Sequence, residues 1–195
     1  MPMTGRTGIT TLLALTFAIV GCDESSVQSP STLSTDAAGP KGDATKSAEI
    51  VDIWTPAAMG DGAWLRKSLA TAGVNPDALD PTFGATALAL AADFGRADAV
   101  RILLDAGADP NALNKDRSNP ALGAAFFGRP ECLQILLDAG GDPTIPNQDG
   151  TTTYTALDAP WPITKFIADV LRMPLDPELL DAGRDECRRI LSEGK

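Results

Sequence analysis

Between Thr86 and Asp142 the chain repeats itself at a spacing of 33 residues. The shift lays Ala91-Ala92 on Ala124-Ala125, Gly95 on Gly128, Ile102-Leu103-Leu104 on Ile135-Leu136-Leu137, and Asp105-Ala106-Gly107 on Asp138-Ala139-Gly140. A fixed period of this length marks a stacked array, because one such unit cannot bury its apolar face alone and must do so against the next copy. The apolar spacing inside the unit is helical. The second unit is therefore predicted as helices over 87–94 and 97–106, and the third as helices over 120–127 and 130–139. Each repeat glycine offers a permissive backbone at a helix end. The alanine pairs let the two helices of a unit approach closely, while Val100, Leu103 and Leu104, with their counterparts Leu133, Leu136 and Leu137, are expected in the core.

The order within the unit is a Thr-Pro-Leu-His-like start, then Ala-Ala, Gly, Leu-Leu and Gly-Ala-Asp, and it resembles the ankyrin repeat. The resemblance runs from about Asp52 to Gly194. It implies an all-α solenoid of about four to five helix-turn-helix repeats within residues 47–195. One departure stands out: the unit starts as Thr86-Ala87-Leu88-Ala89 and as Asn119-Pro120-Ala121-Leu122. The absent histidine is a group that family members use to tie neighbouring turns together.

Fainter copies flank these two. A shift of 34 puts Ala57-Ala58 on Ala91-Ala92, Leu69 on Leu103 and Gly73 on Gly107, so a degenerate first repeat is expected. In it Thr55 caps a helix with Pro56 at its first position, Asp61 takes the place of Gly95, and Asn75 to Ala85 form a turn with Phe83-Gly84 near its tip. On the far side Asn147 to Thr152 reproduces the turn, and Thr155 to Ala159 matches the inner helix only with three inserted residues. Pro160 and Pro162 cut that helix short. Ile163 to Arg172 is expected as the second helix of repeat four, and Pro177 to Asp181 with Asp185 to Ser192 as a capping fifth repeat.

The first 21 residues read as an export signal, with Arg6 as the positive start and an apolar run from Ile9 to Val20 too short to span a bilayer. The run ends in Ile19-Val20-Gly21-Cys22, which resembles the bacterial lipobox and implies lipid modification of Cys22. Several acyl chains on one residue make anchoring stable. Asp23 after the cysteine resembles an inner-membrane retention signal of some bacteria. Residues 22–46 are rich in Ser, Thr, Asp, Gly, Ala and Pro, and such a segment cannot bury enough apolar surface to offset its ordering entropy. A disordered tether with a reach of roughly 25–30 Å is expected there. The placement implied is the bacterial cell envelope, facing the periplasm or the exterior.

Charge and composition exclude several functions. With 16 basic and 26 acidic residues the net charge is −10, or −11 (15 against 26) once the segment before Cys22, which carries only Arg6, is removed. Phosphate-backbone binding needs clustered Lys and Arg, so nucleic acid is not an expected partner. The chain contains no histidine, which excludes Ser-His-Asp triads, His-ligated metals and imidazole acid–base chemistry. Asn147, Asp149 and Gly150 resemble part of a calcium loop. An EF-hand would need oxygen ligands at the first and twelfth places, which are Ile145 and Ala156. No metal or cofactor is expected.

Three functions are weighed. The first is a lipid-tethered, monomeric module that binds another protein, the second a regulatory or protective subunit of an exported enzyme, including a toxin-neutralising one. The third is an enzyme with its site in Tyr154 to Pro177, which a deep polar pocket lined by Asp158, Asp169 or Asp176 would favour. For the first, the resemblance implies a concave groove made of turn tips and of the two positions before the repeat glycine, here Asp93-Phe94 and Phe126-Phe127. Phe83, Lys115, Asp116, Arg117, Gln148 and Asp149 would form its rim. Cys132 and Cys187 fall on outer helices two repeats apart in this alignment, roughly 20 Å from one another, and are expected as free thiols.

Overall fold

The computed structural model describes residues 51–193; the export signal, Cys22, the tether and the start of the domain at residue 47 lie outside them. Helices α1 (Trp54–Met59) and α2 (Gly62–Leu69) form the first pair, α3 (Ala87–Asp93) and α4 (Ala97–Asp105) the second, α5 (Pro120–Phe126) and α6 (Pro130–Asp138) the third. They are followed by α7 (Thr153–Ala156), α8 (Trp161–Val170) and α9 (Pro177–Glu193). Inner helices α1, α3, α5 and α7 stack on one another, and α2, α4 and α6 stack behind them. Between the layers lies a core of Leu65, Leu88, Val100, Leu103, Leu133 and Leu136, all fully buried. Alanines 87, 91, 92, 121, 124 and 125 are equally buried and let the layers approach.

The period is carried by caps. Thr86, Asn119 and Thr152, each 33 residues after the last, turn a side-chain oxygen to the third backbone N–H of α3, α5 and α7. That satisfies a donor which a helix start otherwise leaves orphaned. The inner helix of repeat four therefore begins at Thr153 without the three inserted residues expected from Thr155-Ala156. In repeat one the cap is Asp52, which accepts from the N–H groups of Trp54 and Thr55 at 3.0 and 2.9 Å. Pro56 sits inside the first turn, where no partner for its nitrogen is needed. Gly60, not Asp61, occupies the repeat-glycine position, with φ at +78°, and Asp61 caps α2 instead.

The C-terminal third departs from the expected arrangement. Residues 177–193 form one helix rather than two, since nothing between Asp181 and Asp185 breaks it, and α9 packs directly on α6 and α5. It is the outer helix of repeat four. Arg129-x-x-Cys132-x-x-Ile135-Leu136 recurs as Arg184-x-x-Cys187-x-x-Ile190-Leu191 at a spacing of 55, against the period of 33, an excess of 22 residues. The excess holds α8, which leaves the outer layer. Its Ala168, with Met173, packs on Phe127 over the C-terminal ends of the inner helices, and Ile167, Leu171 and Leu175 join that second small core.

An arginine ladder confirms the register. Arg96 Nε donates to the Ala58 carbonyl and Arg129 Nε to the Asp93 carbonyl, each at 3.1 Å. The next rung, the Phe126 carbonyl, receives Arg184 Nε at 3.1 Å from α9. Arg184 also donates to the Ala159 carbonyl and to Thr164 Oγ1, at 2.8 and 2.9 Å, and so ties α8 to the array. Neighbouring turns are joined without a histidine. Lys115 N–H donates to the Gly84 carbonyl at 2.8 Å, Gln148 N–H to that of Asp116 at 3.0 Å, and the Asn119 carboxamide to that of Asp142 at 2.8 Å.

This register also places Cys132 and Cys187 on adjacent outer helices, one repeat apart and not two. Both are free and buried in the main core. The separation of two repeats expected from the sequence is therefore not what leaves them free: the two thiols belong to one core.

Candidate functional site

The tips at 114–118 and 147–150 stand beside the inner helices α3 and α5. With α8 they border a cavity of about 550 Å³. Its helical walls are built at the expected spacing, Ala89 and Asp93 from α3, Leu122 and Phe126 from α5, with Asn114 and Asn147 from the tips. The opposite wall is Ile163, Ile167 and Leu171, one face of α8. Away from the cavity α8 leaves Phe166 and Val170 more than half exposed, and Ile163 itself is half exposed at the cavity's edge.

Asp93 is the most perturbed group here. Its carboxyl occupies the space that a side chain at Gly123 would fill, an oxygen meeting the position of the absent Cβ. Glycine in the middle of α5 is thus explained by the acid on α3. The residue keeps part of its surface exposed while protein atoms crowd its carboxyl. Burial first and the charge of Asp116 second raise its pKa to about 8, against the opposing pull of Arg129. No hydrogen bond from the described residues reaches its oxygens. The Asn114 carboxamide oxygen is fully buried with no donor. Of the other acids, Asp158 pairs with Arg188 at 2.9 Å, and Asp116 accepts from Ser118 Oγ at 2.8 Å.

The groove residues named from sequence divide into three sets. Phe83, Lys115, Asp116, Arg117, Gln148 and Asp149 are exposed on the tips. Arg117 has φ at +64° where its equivalents one repeat away are Gly84 and Gly150, a conformation costly for a residue with a Cβ. Asp93 and Phe126 line the cavity. Phe127 is a correction: it borders the cavity too, but at 3% exposure it is mostly core, because α8 covers it with Ala168 and Met173. Phe94, its equivalent, is half-buried and touches both cores. Sequence reading missed Asn114, Gly123 and the α8 wall; glycine amid helix formers in α5 was the available signal. Asp158 lines the cavity, but Asp169 pairs with Lys165 on the surface and Asp176 caps α9, so the three acids do not converge. Among the described residues no three His, Cys, Asp or Glu side chains are placed to hold a metal, and no helix is long and apolar enough to cross a membrane.

Residues 57–147 match the family model for ankyrin repeats, in three copies. No curated protein matches the chain. The fold is an all-α ankyrin solenoid, and the matched region stops just before α7. Ankyrin repeats indicate a protein–protein interaction module, and domains of this kind are generally non-catalytic.

Proposed function

We propose that these ankyrin repeats form a partner-binding module held in the bacterial envelope by a lipid on Cys22, with residues 22–46 as its tether and the concave groove as the surface that meets the partner. The observation that carries the groove is the strained tip. Arg117 holds a left-handed backbone where both flanking repeats use glycine, and local strain is kept where a side chain is needed for function. It stands in a row with the exposed ring of Phe83 and with Lys115, Gln148 and Asp149. Phe126 and Asp93 lie deeper in the same groove. A few aromatic and arginine side chains dominate most protein interfaces.

The test is crosslinked capture from envelope fractions with the full chain and a Phe83→Ala, Arg117→Gly variant. Both changes are compatible with the fold, since Phe83 is 55% exposed and glycine suits the Arg117 backbone. Capture should fall about tenfold or more at an unchanged melting temperature. Full capture by the variant would rule out the groove.

A further inference from the structure

The inserted helix α8 carries two apolar faces where the array asks for one. Ala168 packs on Phe127, and Ile167 and Leu171 border the cavity, which accounts for its inner side. The outer side is a second row, Ile163, Phe166 and Val170, spaced by three and then four residues and therefore in line. All three are more than half exposed, Phe166 at 68%. A helix that is apolar on both sides is ordinarily buried on both. Such a row left on a folded surface marks an interaction site.

The charges beside the row match a second copy of the same helix. At about 3.6 residues per turn, Lys165 and Asp169 fall together on one flank of the row, and Ile167 and Leu171 on the other. Both charged side chains are half exposed or more and pair with each other, Lys165 Nζ at 2.7 Å from Asp169 Oδ2. Their midpoint along α8 is residue 167. A two-fold axis there sets each copy's Lys165 against the other's Asp169, and places Ile163 of one copy beside Val170 of the other, on either side of the two Phe166 rings. An isologous contact requires this self-complementarity, because what residue i meets in j, j must meet in i. A parallel arrangement would instead lay the charged flank on Ile167 and Leu171. We propose that the outer face of α8 receives the same face of a second copy, antiparallel to it, giving a two-fold dimer in place of the monomer expected from the sequence.

The interface is small. A helix of 10 residues offers less than the roughly 800 Å² a side of a standard stable complex, so the dimer is weak and forms at roughly micromolar to millimolar concentration. The net charge of −10 opposes approach, but at physiological salt that repulsion is screened beyond about 8 Å, and the charges on the flank itself sum to zero. A bilayer fits this face less well. Membrane-surface helices are rich in Lys and Arg on their polar side, whereas Lys165 is the one basic residue of α8 and Asp169 already matches it. The face shares no residue with the tips proposed to meet the partner, so the two readings stand or fall separately.

The test is sedimentation equilibrium of the full chain, carrying Cys22→Ser so that no lipid can be attached, at protein concentrations up to about 1 mM in about 0.15 M salt. A monomer–dimer equilibrium is expected. Phe166→Glu should weaken it at least about tenfold at an unchanged melting temperature, since the ring is exposed in the monomer. Lys165→Asp and Asp169→Lys each set like charges across the axis and should weaken self-association by about tenfold. The double reversal, which keeps the net charge, should associate as the wild type does. An equimolar mixture of the two single variants should also recover wild-type affinity, a rescue that the ion pair within one chain cannot produce. A monomer throughout, wild-type association by Phe166→Glu, or a mixture no tighter than its components would each overturn the proposal. Flotation of a monomeric wild type with phosphatidylcholine vesicles, lost in Phe166→Glu, would overturn it in favour of a bilayer.

Discussion

Asp93 shows how one residue reports on several layers. Position 93 precedes the repeat glycine by two, so it was legible as a groove position; its carboxyl's place against Gly123 was not, because that meeting joins two helices. The consequence for stability has a definite sign. The folded carboxyl keeps its proton up to about 8, while the unfolded one releases it near the ordinary 3.8. The folded state therefore binds more protons between these values, and Asp93 makes the protein less stable as pH rises through that window, with no further change above about 8. Urea unfolding of the wild type at several pH values across the window should show this loss, and Asp93→Asn should reduce it. An unchanged pH profile in the variant would mean that the acid is solvated. Phe127 teaches the converse, since an aromatic at a groove position becomes core once α8 lies on it.

At the scale of elements, α9 is the most informative helix. It sits so close to α5 that Gly183 meets the backbone of Gly128; a Cβ on Gly128 would in turn stand 2.8 Å from the Leu180 carbonyl oxygen. Helix propensity alone predicts that Gly183→Ala stabilises α9 by about 1 kcal/mol. Here the added methyl has no room and the opposing atoms are backbone, so a net loss of roughly 1–3 kcal/mol is expected, measured by urea denaturation. Equal or greater stability of the variant would show that α9 is not seated on α5. The continuity of α9 was hidden by Gly183, which in a sequence reads as a break and in the structure is a contact.

The whole molecule combines an acidic interaction domain with an N-terminal segment whose residues read as signal, lipid-bearing cysteine and tether. The lipid anchor has a direct check. Mass spectrometry of the mature protein should find Cys22 as the first residue, carrying acyl chains. An intact N-terminus, or a free Cys22 thiol after cleavage elsewhere, would remove the anchor and leave the ankyrin domain untouched. The other two cysteines do not confuse this measurement by being reactive in the fold. Burial pushes both thiols up to about 12, where almost none is thiolate at neutral pH.

The sequence by itself determined the solenoid. Its period, its caps at Thr86, Asn119 and Thr152, and its Leu and Ala core positions are local patterns that each repeat writes anew, and nearest-neighbour packing asks for nothing more. Only tertiary structure decided what becomes of residues 162–183. Once the period fails, no copy says which layer a helix joins, and the choice falls to long-range contacts: the Phe126 carbonyl awaiting an arginine, Gly128 open to a close backbone, Phe127 in need of cover. Arg184 and Gly183 of α9 meet the first two and α8 the third. The cavity exists because α8, displaced from the outer layer, came to rest beside α3 and α5.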